Sequence, residues 1–144
     1  MRSVKTEIGD YTGKRSGGSF YCYNNNLESL KGAPKSVSGG FDCAHNDLES
    51  LEGAPKYVGD YFNCSDNNLE SLEGAPQYVG KNFYCIDNNK LESLEGLPQY
   101  IGREFYCDEA LKQGENLYNI ANALLNGNKD NEEYMLEVIT QYFS

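Results

Sequence analysis

A single histidine, no Cys-x-x-Cys spacing and no glycine-rich phosphate loop leave this 144-residue chain little from which to build a catalytic or metal centre. No nucleophile has an evident base, because His45 stands alone, and no carboxylate pair stands out from a repeated acidic background. No apolar run approaches the roughly 20 residues that span a bilayer, and the opening MRSVKTEIGD lacks the apolar core of a signal peptide. Basic residues are scarce, 12 against 22 acidic, for a net charge of -10. That balance repels nucleic acid and attracts basic surfaces. The expectation is a cytoplasmic, monomeric, non-catalytic chain with no cofactor, no metal, no direct nucleic-acid partner and no membrane partner.

Repetition is what the chain has in abundance. Phe20, Phe41, Phe62, Phe83 and Phe105 recur at spacings of 21, 21, 21 and 22 residues. Each is followed two residues later by a cysteine: Cys22, Cys43, Cys64, Cys85 and Cys107. A fixed period of about 20 to 29 residues marks units that cannot bury their apolar face alone and stack into one shared core. The complete units read FYCYNNNLESLKGAPKSVSGG, FDCAHNDLESLEGAPKYVGDY, FNCSDNNLESLEGAPQYVGKN and FYCIDNNKLESLEGLPQYIGRE. They share the pattern F-x-C-x-x-N-x-L-x-S-L-x-G-[AL]-P-x-x-[VI], and a fifth unit breaks off after Cys107.

This pattern resembles the leucine-rich repeat, with Phe and Cys where that family more often has Leu. In detail it is similar to the short, proline-bearing repeats of bacterial effectors and bacteriophage proteins. The resemblance covers residues 20–107. It implies an α+β repeat solenoid: a right-handed coil with a narrow parallel β-sheet on the concave face, a loop-rich convex side and a C-terminal helical cap. The organisation expected is an N-terminal cap over 1–19, the solenoid over 20–108 and a two-helix cap over 109–144. Two departures are an extra residue between Val58 and Phe62 and an Asn88-Asn89-Lys90 insertion, where a local bulge is expected.

The residues support the same picture by themselves. Alternation places Phe and Cys on one face of each short strand and the residue between them on the other. Strands about 4.8 Å apart make a sheet about 20 Å long on the stacking axis. The chain turns at Asn25, Asn46, Asn67 and Asn88 or Asn89, where a stacked amide can satisfy turn backbone groups. Leu27, Leu30 and Val37 and their equivalents, through Leu91, Leu94 and Ile101, complete the core. Pro34, Pro55, Pro76 and Pro98 forbid a regular helix, so the return is read as loop. Gly39, Gly59, Gly80 and Gly102 mark either positive φ or close approach to the next coil. All five cysteines occupy a core position, which reads as reduced packing; the alternatives are disulfides between rungs or a soft-metal site.

The two ends abandon the pattern. Val4, Ile8 and Tyr11 are expected to cover the first coil as an edge strand or hairpin. After Cys107, helical spacing takes over at Leu117, Ile120, Ala121, Leu124 and Leu125, then at Met135, Leu136, Ile139 and Phe143. Gly127 supplies a stop between the two helices, and Asp130 with Glu133 a capping box for the second.

The columns that vary are the outward ones. Tyr21, Asp42, Asn63, Tyr84 and Tyr106 lie between Phe and Cys. Tyr23 and Ile86 follow the Cys, Tyr61 precedes the Phe, and His45 and Asp66 stand at the turn. Together they are the candidate partner-binding set, because tyrosine combines large contact area with a polar tip and is enriched at binding hot spots. The plainer alternative is that tyrosine suits an exposed strand. Glu28, Glu49, Glu70 and Glu92 form one acidic column, and Glu52, Glu73 and Glu95, headed by Lys31, form another. Repeat copying accounts for both as a solvated face. The function expected is non-catalytic protein–protein interaction through the concave strand face. The phage-type resemblance implies a phage-encoded modulator or inhibitor of a host defence protein, acting in the host cytoplasm. The alternatives are an acidic nucleic-acid mimic and a structural subunit of a larger assembly.

Overall fold

Each coil crosses two short strands, and every strand pairs in parallel with its equivalent one coil away. The computed structural model describes residues 1–143 and shows a β-solenoid of about four turns with a helical region at its C-terminal end. One sheet holds β2 (Phe20–Tyr21), β4 (Phe41–Asp42), β6 (Phe62–Asn63), β8 (Phe83–Tyr84) and β10 (Phe105–Tyr106), in register Phe on Phe. The other holds β1 (Arg15–Ser16), β3 (Ser36–Val37), β5 (Tyr57–Val58), β7 (Tyr78–Val79) and β9 (Tyr100–Ile101). This second sheet corrects the reading of the return as loop. Proline does exclude a helix there, but the residue after it rejoins the ladder: Lys56 N–H donates to Lys35 O, and Gln77 N–H to Lys56 O, both at 2.9 Å. Strands of two residues are too short to leave an alternating signature.

The core is a set of stacked columns. Phe41, Phe62, Phe83, Leu27, Leu48, Leu69 and Val58 are fully buried, each contributing about 1.5–3 kcal/mol. Phe62 lies between Phe41 at 5.6 Å and Phe83 at 5.2 Å, centroid to centroid. The five cysteines are free and buried, and loss of hydration pushes their thiols up, to about 12 for Cys22 and about 11 for Cys107.

Asparagine lines one corner. Asn46, Asn67 and Asn88 are buried. Asn67 Oδ1 accepts from Leu48 N–H, and its Nδ2 donates to Cys43 O, Cys64 O and Ser65 O. The 22-residue unit keeps Asn88 in this ladder, so Asn88 and not Asn89 is the turn residue. The extra residue is absorbed in a tight turn closed by Leu91 N–H to Asn88 O, and β8 stays in register with both neighbours.

Close approach, not positive φ, explains the glycines before each strand. A Cβ on Gly80 would lie 2.1 Å from Gly59 O, and one on Gly102 2.0 Å from Gly80 O. Gly39 stands outside this column: it pairs with Asp60, and Ser38 takes the place beneath Gly59.

At the first coil a one-turn helix α1 (Val4–Glu7), with reciprocal Ser3 and Thr6 capping, replaces the expected edge strand or hairpin. Val4 plugs the core, whereas Ile8 and Tyr11 are exposed and Tyr11 covers the half-buried Phe20 edge-on. At the other end, α2 (Gly114–Gly127) packs on β9 and on the helix that follows it, burying Ile120, Ala121, Ala123 and Leu124. Gly127 closes this helix from within, pressed against Ile101 O. Asn126 Nδ2 donates to Gln99 O and Asn128 Nδ2 to Ile101 O. Those are the carbonyls that another coil would engage, as Gln99 and Gly102 engage Gln77 O and Val79 O. Helix α3 (Glu132–Phe143) starts on Asn131, whose Oδ1 accepts from Tyr134 N–H, rather than on Asp130. Its inward residue is Val138, flanked by Tyr134 and Tyr142. Leu136, Ile139 and Phe143, expected inside, are exposed, because the helix carries apolar side chains on two sides and only one is covered, chiefly by α2. No helix among the described residues is long and apolar enough to cross a membrane.

Candidate binding face

Period-2 alternation on the Phe-x-Cys sheet turns Phe and Cys inward and leaves the intervening column outward. The tyrosines form two groups linked by Tyr61, whose phenol also hydrogen-bonds with Tyr21. Tyr21 and Tyr23, 60% and 51% exposed, meet edge-on at 6.3 Å at the N-terminal end. Tyr84 stacks on Tyr106 at 5.1 Å and meets Tyr61 edge-on at 6.4 Å at the other end. Gly40 makes room for the Tyr61 ring, because a Cβ there would lie 2.2 Å from Cε1. Partial burial, with the Asp42 carboxylate nearby, pushes the Tyr61 phenol up to about 12. Asn82 Nδ2 donates to Tyr84 Oη at 3.0 Å, which fixes that ring.

Between the two groups, Asp42 and Asn63 are half-buried and turned to local work. Their Oδ1 atoms accept from Ala44 N–H and Ser65 N–H, both at 3.0 Å. Ile86 is exposed beside Tyr84, with its N–H donating to Ser65 Oγ. His45 and Asp66 leave the sheet face: both have left-handed backbone at the corner, φ +56° and +54°, and are joined Nδ1 to Oδ2 at 2.6 Å. With Tyr23, Asn24, Asn26 and Asp47 they line a shallow polar depression. Of the ten sequence candidates, the structure therefore gathers six apolar or aromatic side chains on the sheet and sets the His45–Asp66 pair around the corner from it.

One aromatic column escaped the sequence reading. Tyr57, Tyr78 and Tyr100 stand on the second sheet's outward side, with Tyr57 and Tyr78 stacked at 4.8 Å and 7°. The signal was present in Tyr-Val, Tyr-Val and Tyr-Ile, one residue out and one in, but three dipeptides read as loop show no face. Chemically, both sheets offer large contact area and hydrogen-bonding tips. Among the described residues no group of three or more His, Cys, Asp or Glu could hold a metal ion. No family model, curated protein or solved structure matches the chain.

Proposed function

We propose that this chain is a non-catalytic protein-binding module that takes its partner on the outward face of the Phe-x-Cys sheet. The observation that carries this reading is the gathering of Tyr21, Tyr23, Tyr61, Tyr84 and Tyr106 on one side of a sheet whose buried side repeats almost without change. A rigid sheet holds these rings in place before the partner arrives, so little side-chain entropy is lost on binding. Asp42 and Asn63 brace the strand ends between them.

The test begins with capture of partners on the tagged chain from bacterial lysate at low and at high salt. The partner retained at high salt is then titrated against Tyr21→Ala, Tyr84→Ala and Tyr106→Ala combined. The expected loss exceeds about 2 kcal/mol, or about thirtyfold in Kd, with the melting temperature little changed. Unchanged affinity in a folded triple variant overturns the assignment. Capture only of basic nucleic-acid-binding proteins that wash off in salt also overturns it, in favour of the acidic columns.

A further inference from the structure

The second sheet carries charge of the opposite sign to the chain. Its outward column and the residue before it in each coil are Lys14-Arg15, Lys35-Ser36, Lys56-Tyr57, Gln77-Tyr78 and Gln99-Tyr100. These positions hold four cations and no carboxylate, in a chain of net charge -10. Lys14, Lys35 and Lys56 sit on consecutive rungs, tied by Lys35 N–H to Lys14 O and Lys56 N–H to Lys35 O at 2.9 Å. Their stems therefore rise side by side at about 4.8 Å. All four cations are exposed. None joins an ion pair among the described residues, whose ion pairs use Arg2, Lys5, His45, Lys81 and Lys112 instead. Like charges stacked on neighbouring strands oppose folding, so this stripe is a cost that the fold itself does not explain.

The neighbouring tyrosines decide what chemistry fits. Tyr57 and Tyr78 spend ring faces on each other, and Tyr100 leans on Tyr78 at 6.1 Å. Bases of a single strand would need open ring faces to stack on. Carboxylates need donors: the corner beside this column supplies three ammonium groups at exposed Lys14, Lys35 and Lys56, and the column itself one guanidinium and the phenol hydroxyls. We infer that the outward face of the second sheet is a separate docking surface for an acidic polypeptide segment, its carboxylates lying along Lys14, Lys35 and Lys56 and reaching the tyrosine hydroxyls. The surface is distinct from the tyrosines on the Phe-x-Cys sheet, so two partners can be held at once.

The test is fluorescence anisotropy of a labelled oligoglutamate peptide with the full chain, at low and high salt. The variant Lys14→Gln, Lys35→Gln, Lys56→Gln is compared with a charge-matched control, Lys31→Gln, Lys90→Gln, Lys129→Gln. All six side chains are exposed, and a melting curve verifies folding. Wild type and control bind the peptide at low salt with similar Kd, the stripe variant binds about tenfold more weakly, and salt weakens all three. Absence of binding at low salt, or equal losses in the two variants, overturns the inference. Tighter binding of oligothymidylate than of oligoglutamate overturns it in favour of a nucleic-acid surface.

Discussion

Replacing Asn67 by alanine tests whether the asparagine corner holds the coils together. Asn67 is buried, and its Oδ1 is the acceptor for Leu48 N–H at 3.0 Å. The carbonyls it serves keep other donors: Cys43 O retains Asn46 Nδ2, Cys64 O retains Asn88 Nδ2, and Ser65 O retains His45 N–H. The substitution therefore strands one buried donor, at about 1–3 kcal/mol, and removes two amide hydrogens shared among three carbonyls, for about 2–6 kcal/mol in total. Asn25 is the internal control. It occupies the same repeat position in the first coil, is exposed, and its amide donates only to Tyr23 O; Asn25→Ala costs less than about 1 kcal/mol. Asn67→Asp keeps the acceptor but turns a second oxygen toward three carbonyls. The folded state then raises that carboxyl's pKa, so stability is highest at acid pH and falls as pH rises past the ordinary carboxylate range. Urea unfolding followed by circular dichroism measures all three variants. Equal costs at positions 25 and 67, or an aspartate variant more stable at neutral than at acid pH, would refute the ladder.

Phe62→Ala, in the middle of the aromatic stack, loses about 3–5 kcal/mol in the same assay, whereas Phe20→Ala, half-buried at its end, loses about 1–2 kcal/mol; the reverse order would mean that the faces are swapped. Gly80→Ala lowers the melting temperature by at least about 5 °C, and Gly17→Ala, with nothing within 4 Å of its added Cβ, barely moves it; equal effects would remove the close-approach argument. Thiol labelling of the native protein reaches Cys107 first and the other cysteines only in denaturant, and prompt labelling of Cys64 would contradict its inward placement. The same thiols set an alkaline limit. Their folded values lie above the ordinary 9.0, so unfolded thiols ionise first and stability falls as pH rises from about 9; a melting temperature flat to pH 11 would contradict this.

The repeat was legible because its buried positions are constrained by identical neighbours above and below. Phe62 stacks between Phe41 and Phe83, and Cys64, Asn67 and Leu69 lie one rung from a copy of themselves, so the same residue type is selected coil after coil. The second sheet was illegible for the opposite reason: two residues, one facing out, between a proline and a glycine carry almost no period. The caps were half legible. Helical spacing announced α2 and α3, but spacing alone could not say which of two apolar sides of α3 would be covered, and Val138 won over Leu136 and Ile139. Strand alternation did place Tyr21, Tyr84 and Tyr106 on the outward side of their sheet, where the structure has them. Alternation could not place His45 and Asp66, which a left-handed corner carries off the sheet.

The C-terminal amides of Asn126 and Asn128 stand in for the donors of a missing coil, and α1 fits against the opposite end. Neither end contacts anything that depends on how many coils lie between. Removing residues 62–82 would join Tyr61 to Phe83 and leave each remaining joint of a kind already present. Length in this architecture is a count that the ends do not read, and whole coils are interchangeable parts whose outward residues can be added or dropped without a new kind of seam.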